Sequence, residues 1–137
     1  ATGGTEVYTY ELSRELSKKH EVMLFFGKRE WQKENENLVE EWKYDNIPYT
    51  AVFINRSEVY TTLRNQRINR QFNKIIEKFK PDIIHFQHLL GLGLDLVDVG
   101  KKYHIPMLMT THDYFLICSF AHLIDGKKNV CNNRTNP

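Results

Sequence analysis

Apolar residues recur at every fourth position near the start of the chain. Tyr8, Leu12 and Leu16 form a stripe, with the small Thr9 and Ser13 beside it and Glu11, Arg14, Glu15 and Lys18 on the other side. This spacing predicts a helix from about Thr5 to Lys19 with the stripe turned inward. Glu6 near its start and Lys18-Lys19 near its end suit the helix macrodipole. The pattern then changes to a continuous apolar run, Glu21-Val-Met-Leu-Phe-Phe26. Strands buried on both faces of a parallel sheet read this way. Lys28–Asn46 is polar and reads as a surface helix carrying Trp31, Leu38 and Trp42. Ile47–Ile54 reads as another strand, with Pro48 near its start, where a lost N–H matters little.

A long helix is predicted over Ser57–Phe79, with Val59, Leu63, Phe72, Ile75, Ile76 and Phe79 inward and Pro81 ending it. Asp82–Phe86 is the next strand, Leu92–Tyr103 a helix and Pro106–Thr111 a strand. Beyond His112 the chain turns irregular, with one helical turn around Phe115–His122. The alternation of helices and strands predicts an α/β fold, a Rossmann-like three-layer domain with a mainly parallel sheet. Gly3-Gly4 directly before the first helix implies a preceding strand, just upstream of Ala1. In a doubly wound sheet of order 3-2-1-4-5 that strand is central. Glu21–Phe26 and Asp82–Phe86 are therefore expected to flank a slot one strand wide. Upstream residues, or a strand exchanged from another molecule, would fill it.

The totals narrow the class of protein. A length of 137 residues suits one domain. The hydrophobic share of 41% and charged share of 26% are those of an ordinary globular protein. A net charge of +2 gives no field that singles out nucleic acid. Two cysteines, Cys118 and Cys131, are too few for a secreted disulfide scaffold, so a reducing cytoplasm is the expected compartment. No apolar run approaches the ~20 residues of a membrane span. The chain opens without Met or a signal-peptide pattern and stops at Asn136-Pro137 in a polar stretch, so it reads as a piece cut at both ends.

In open parallel sheets ligands bind beyond the carboxyl ends of the strands. Three features converge there: the Gly3-Gly4 turn, His88 just past the strand at Asp82–Phe86, and His112-Asp113 after the strand ending at Thr111. Glycines let the backbone approach a ligand closely, and amides at a helix N-terminus favour a phosphate. The plain alternative for Gly3-Gly4 is a tight turn, and no GxGxxG fingerprint is present. A rim histidine such as His112 can bond a hydroxyl or phosphate, or move a proton. For both His112 and His88 the alternative is a structural histidine. His85, inside its strand, reads as a core residue with a satisfied hydrogen bond. Cys118, His122 and Cys131 fit no standard zinc spacing, so no metal is expected. Arg56, Arg64, Arg67, Arg70 and Lys74 give the long helix a basic side. Such a face is usually just solvated; the alternative is peripheral contact with anionic lipid head groups or a phosphorylated acceptor.

Three segments together resemble a known family. Gly3-Gly-Thr-Glu-Val-Tyr-Thr-Tyr-Glu-Leu through His20-Glu-Val22, Pro81-Asp-Ile-Ile-His-Phe-Gln-His88, and Thr110-Thr-His-Asp-Tyr-Phe-Leu-Ile-Cys118 are similar to segments of the retaining family 4 glycosyltransferases of the GT-B fold. They stand in the family's order and spacing. Lys19 departs from the family's usual Gly before the His, and Lys28 to Asn73 carries no matching motif. The resemblance implies an N-terminal, acceptor-side domain of a two-domain hexosyltransferase. That enzyme uses a nucleotide-sugar donor, a sugar or lipid acceptor and no metal cofactor. It implies Gly3 and Gly4 near the donor diphosphate, His112 near the transferred sugar as the catalytic residue, and His88 and Asp113 on the acceptor side. The donor-binding Glu-x7-Glu segment of the family's C-terminal domain has no counterpart in the chain, so the piece alone is expected to be inactive. The rival readings are another GT-B or Rossmann-like enzyme, an epimerase or oxidoreductase, and a non-catalytic α/β ligand-binding module.

Overall fold

The computed structural model describes residues 3–30, 39–55, 63–118, 122–125 and 127–131. Helix α1, Gly4–Leu16, follows the extended Gly3 and carries Glu6 in its first turn and Arg14 in its last. Its predicted stripe is not sealed: Tyr8 is 44% and Leu16 40% exposed, and Ser13 is the buried position.

Strand β1, Leu24–Glu30, starts later and runs further than the apolar run suggests. The predicted surface helix over Lys28–Asn46 is overturned. Val39–Tyr44 is a strand, β2, which turns through Asp45-Asn46 into β3, Ile47–Asn55; Trp31 and Leu38 lie outside the described residues. Both turn residues have positive φ, 49° and 63°. That geometry matches the twist of a two-residue hairpin and is tolerated by Asp and Asn better than by most side chains. β3 is central, parallel to β1 and antiparallel to β2. It buries both faces, with Thr50, Ala51, Val52, Phe53 and Ile54 all buried. The charged Glu40, Glu41 and Lys43 keep β2 exposed, a composition that discourages edge-to-edge pairing.

Helix α2, Gln66–Phe79, is shorter than predicted. Residues 57–62, Val59 among them, lie outside the described residues. Leu63 is 63% exposed rather than inward, and its carbonyl accepts the Leu94 amide at 2.7 Å. Asn65 caps the helix, its side chain accepting from the Ile68 amide. Lys80 ends it in the left-handed region, before Pro81. Ile68, Phe72, Ile75 and Ile76 form its buried stripe. β4, Ile84–Phe86, and β5, Met107–Met109, pair in parallel on either side of α3, Leu96–Lys102. Gly100 allows that helix to approach: a Cβ there would overlap Met107 Sδ and stand 3.4 Å from Ile84 Cδ1.

Two sheets result, β1-β3-β2 and β4-β5, and β1 and β4 do not pair with each other, as the expected strand order required. One core nevertheless joins them. Val52 and Ile54 of β3, Ile84 and Phe86 of β4, and the apolar faces of α2 and α3 make a single buried cluster. Phe72 of α2 is its bridge, 5.2 Å from the ring of Phe25 in β1 and 6.4 Å from that of Phe86 in β4.

Candidate functional site

β4 and β5 run in parallel, so their carboxyl ends open on the same side, and the segments leaving them are fastened together by side chains. His85 Nε2 and Thr110 Oγ1 lie 2.8 Å apart. His112 Nε2 lies 2.9 Å from Gln87 Oε1, and His88 Nε2 lies 2.7 Å from Asp113 Oδ2. The Thr110 amide, donating to the Phe86 carbonyl at 3.0 Å, carries the backbone ladder up to these contacts.

Each side chain is held by its own local structure. The loop from β4 to α3 is pinned at Asp95, whose carboxylate takes the Asn65 amide at 3.3 Å and the Asn69 side-chain amide at 3.1 Å. Leu92 and Gly93 donate back to the Leu89 carbonyl, and Gly93 needs its positive φ of 103° there. Within this loop the Leu90 amide donates to His88 Nδ1 at 3.0 Å. Nδ1 therefore carries no proton, and Nε2 is the nitrogen that donates to Asp113. The His88 ring also stacks on Phe115, with centroids 5.7 Å apart. Asp113 Oδ1 accepts the Phe115 amide at 2.9 Å, which starts the turn over Phe115–Ile117.

These contacts set the charge of the rim. Burial raises the Asp113 carboxyl, but the Phe115 amide and His88 outweigh it and hold it below the usual carboxylate value. Burial, with His112 nearby, lowers the proton affinity of His85. A shallow, open depression lies over the ladder, lined by Gln87, Thr111, His112 and Asp113 with Met109, Phe115 and Leu116. Its lining offers an amide, a hydroxyl, an imidazole and a carboxylate beside apolar side chains.

Tyr8 stands edge-on to His112, with ring centroids 5.1 Å apart. Tyr8 lies four residues past Gly4, a rise of about 6 Å. A Cβ on Gly4 would meet nothing within 4 Å, whereas one on Gly3 would meet the flexible Glu6 carboxylate. The fold thus brings His88, His112 and Asp113 together, with the Tyr8 ring of α1 against His112. His85 is satisfied by Thr110, as expected of a strand histidine. Gln87 escaped the sequence reading. The available signal was strand parity, which sets 85 and 87 on the side that meets 110 and 112.

The remaining features stay apart from this site. Arg67 of the basic helix face donates to the Phe53 carbonyl at 2.6 Å, while Arg64, Arg70 and Lys74 are exposed. Arg56 lies outside the described residues. Cys118 and Cys131 form no disulfide. Among the described residues no group of three His, Cys, Asp or Glu side chains is arranged to hold a metal ion. No helix among them is long and apolar enough to cross a membrane.

A parallel α/β framework with a polar rim beyond its strand ends defines a Rossmann-like domain. Residues 2–133 match Glycosyltransferase Family 4, and the chain belongs to that family. It is also similar to an uncharacterized 42.6 kDa protein in the cps region of Klebsiella pneumoniae, with 38% identity over 55 residues. That match covers 40% of this chain and 15% of the relative. No solved structure matches the chain.

Proposed function

We propose that the chain is the acceptor-side domain of a two-domain GT-B glycosyltransferase. The whole enzyme moves a hexose from a nucleotide-sugar donor to an acceptor and retains the anomeric configuration. Family membership over residues 2–133 carries this reading. The relative from a cps region favours a polysaccharide or its lipid-linked precursor as acceptor. The matched part is a small share of that relative's length, which leaves room for a C-terminal, donor-binding domain in the protein as a whole.

The chemistry assigned to the rim follows from the reaction. Breaking a glycosyl–phosphate bond puts negative charge on the leaving diphosphate and oxocarbenium character on the sugar. Amides at the start of α1 stabilise that leaving charge without a metal. The open space over Gly4 supports an approach of the diphosphate there. His112, braced by Gln87 and Tyr8, orients the transferred sugar by a hydrogen bond. His88 and Asp113 bond each other, and on this reading they shape the acceptor wall. A chain with two cysteines suits an enzyme working in the cytoplasm, at the membrane face if its acceptor is a lipid.

The test is transfer by the full-length protein from a panel of radiolabelled nucleotide sugars to oligosaccharide and lipid-linked acceptors, with the product anomer read by NMR. Labelled product of retained configuration, formed equally in chelator, is expected. No transfer from any donor, or an inverted product, overturns the proposal.

A further inference from the structure

We propose that Gln87 is a positioning residue that fixes which nitrogen of His112 carries the proton, and so which one remains to meet a ligand. This rests on the reading of His112 as the sugar-facing residue. Gln87 is the first residue past β4, half-buried, with its side-chain oxygen 2.9 Å from His112 Nε2. A carbonyl oxygen only accepts, so Nε2 holds the proton and Nδ1 keeps its lone pair. Among the described residues no side chain or amide bonds Nδ1. The Tyr8 edge fixes the tilt of the ring from the α1 side. His112 is thereby set to accept a hydrogen bond from a hydroxyl group in the cleft.

The neighbouring histidine makes the contrast. His88 has both ring nitrogens spent on the chain, one on Asp113 and one on the Leu90 amide. It has none left for a ligand, whereas His112 keeps one. The partners also differ in charge. His88 faces a carboxylate and His112 a neutral amide. The titratable groups around His112 are Tyr8 on α1, His85 on β4, and the His88–Asp113 pair. A neutral partner at position 87 keeps a further charge out of that group. A sequence reading that looks for ionisable residues passes over such a role, because glutamine does not titrate.

The test uses the full-length protein with ¹⁵N-labelled histidine, following the ring nitrogens of His112 by NMR alongside steady-state kinetics. Gln87→Leu removes the acceptor. It is expected to turn His112 from one tautomer into a mixture and to lower kcat about tenfold, the worth of one hydrogen bond, with the donor KM little changed. Gln87→Glu keeps an acceptor of the same shape and serves if the leucine variant fails to fold. It is expected to hold the Nε2–H tautomer and move the acid limb of the kcat profile up by about one pH unit. If the His112 nitrogens are the same in wild type and both variants, Gln87 does not position the ring and the inference fails. If they change while turnover and its pH profile do not, the positioning stands and the sugar-facing reading of His112 fails instead.

Discussion

Asp113 Oδ2 lies 2.7 Å from His88 Nε2, and the other oxygen of the same carboxylate takes the Phe115 amide at 2.9 Å. The fold favours the ionised form, because the carboxyl titrates below its ordinary value. A group whose folded value is depressed stabilises the fold above its unfolded value, about 3.9, and loses that contribution as pH falls through the folded value. Asp113→Asn is expected to cost about 0.2–1 kcal/mol near pH 7, since the pair is partly exposed. The cost should shrink as pH falls through the folded value. Denaturant melts of both proteins across that range check it, and a pH-independent difference would count against the linkage.

Gly27 sits in β1 against the central strand. A Cβ there would overlap Ile54 Cδ1 and stand 2.9 Å from Cγ1 and 3.4 Å from Leu92 Cδ2. Ile54 is 3% exposed and has little room to yield. Gly27→Ala should destabilise by about 1–3 kcal/mol. Adding Ile54→Val, which deletes the crowding methyl, should recover part of the loss. Chemical denaturation of the single and double variants measures both. An unchanged midpoint in the single variant would mean that the strands simply move apart.

Tyr10 donates to Asp45 Oδ2 at 2.6 Å, and this bond pushes its phenol up to about 12. The raised value means that the bond favours the fold below the unfolded value near pH 10 and is lost as pH rises through 12. Spectrophotometric titration should show one tyrosine ionising well after the others. Asp45→Asn should return it toward the ordinary range. A wild-type titration without the late component removes the hydrogen bond from the picture.

His112→Ala in the full-length protein should lower kcat by on the order of 10²-fold. Its effect on stability should be small, because the ring lies at the rim and outside the buried cluster. Turnover and thermal melting measured on the same preparation separate the two. Full activity with intact folding would make His112 a brace for Gln87 and nothing more.

Where burial leaves its own mark, the chain could be read directly. β3 is apolar because both its faces are covered, and the buried stripe of α2 shows in Phe72, Ile75 and Ile76. The placement of His88 and His112 followed from the rule that parallel strands open their sites at one end. β2 could not be read this way. Glu40, Glu41 and Lys43 are good helix formers, and only pairing with β3 makes them a strand. The available clue was Asp45-Asn46, whose residue types tolerate the two positive φ angles of a tight hairpin. Leu63 misled for a related reason. Its backbone, through the bond to Leu94, does the work that its side chain was expected to do.

Phe72 has a consequence for how the domain opens. Its ring touches Phe25 on one side and Phe86 on the other, so neither sheet has an apolar interior of its own. Amide protons of β3 and β4 should then exchange with solvent through one shared unfolding event rather than two independent ones. A rim assembled from one sheet and the helix beside it thus takes its rigidity from residues far from any ligand. Loosening the α2 face by a single truncation should blur the spacing of His112 and Gln87 before it unfolds either strand.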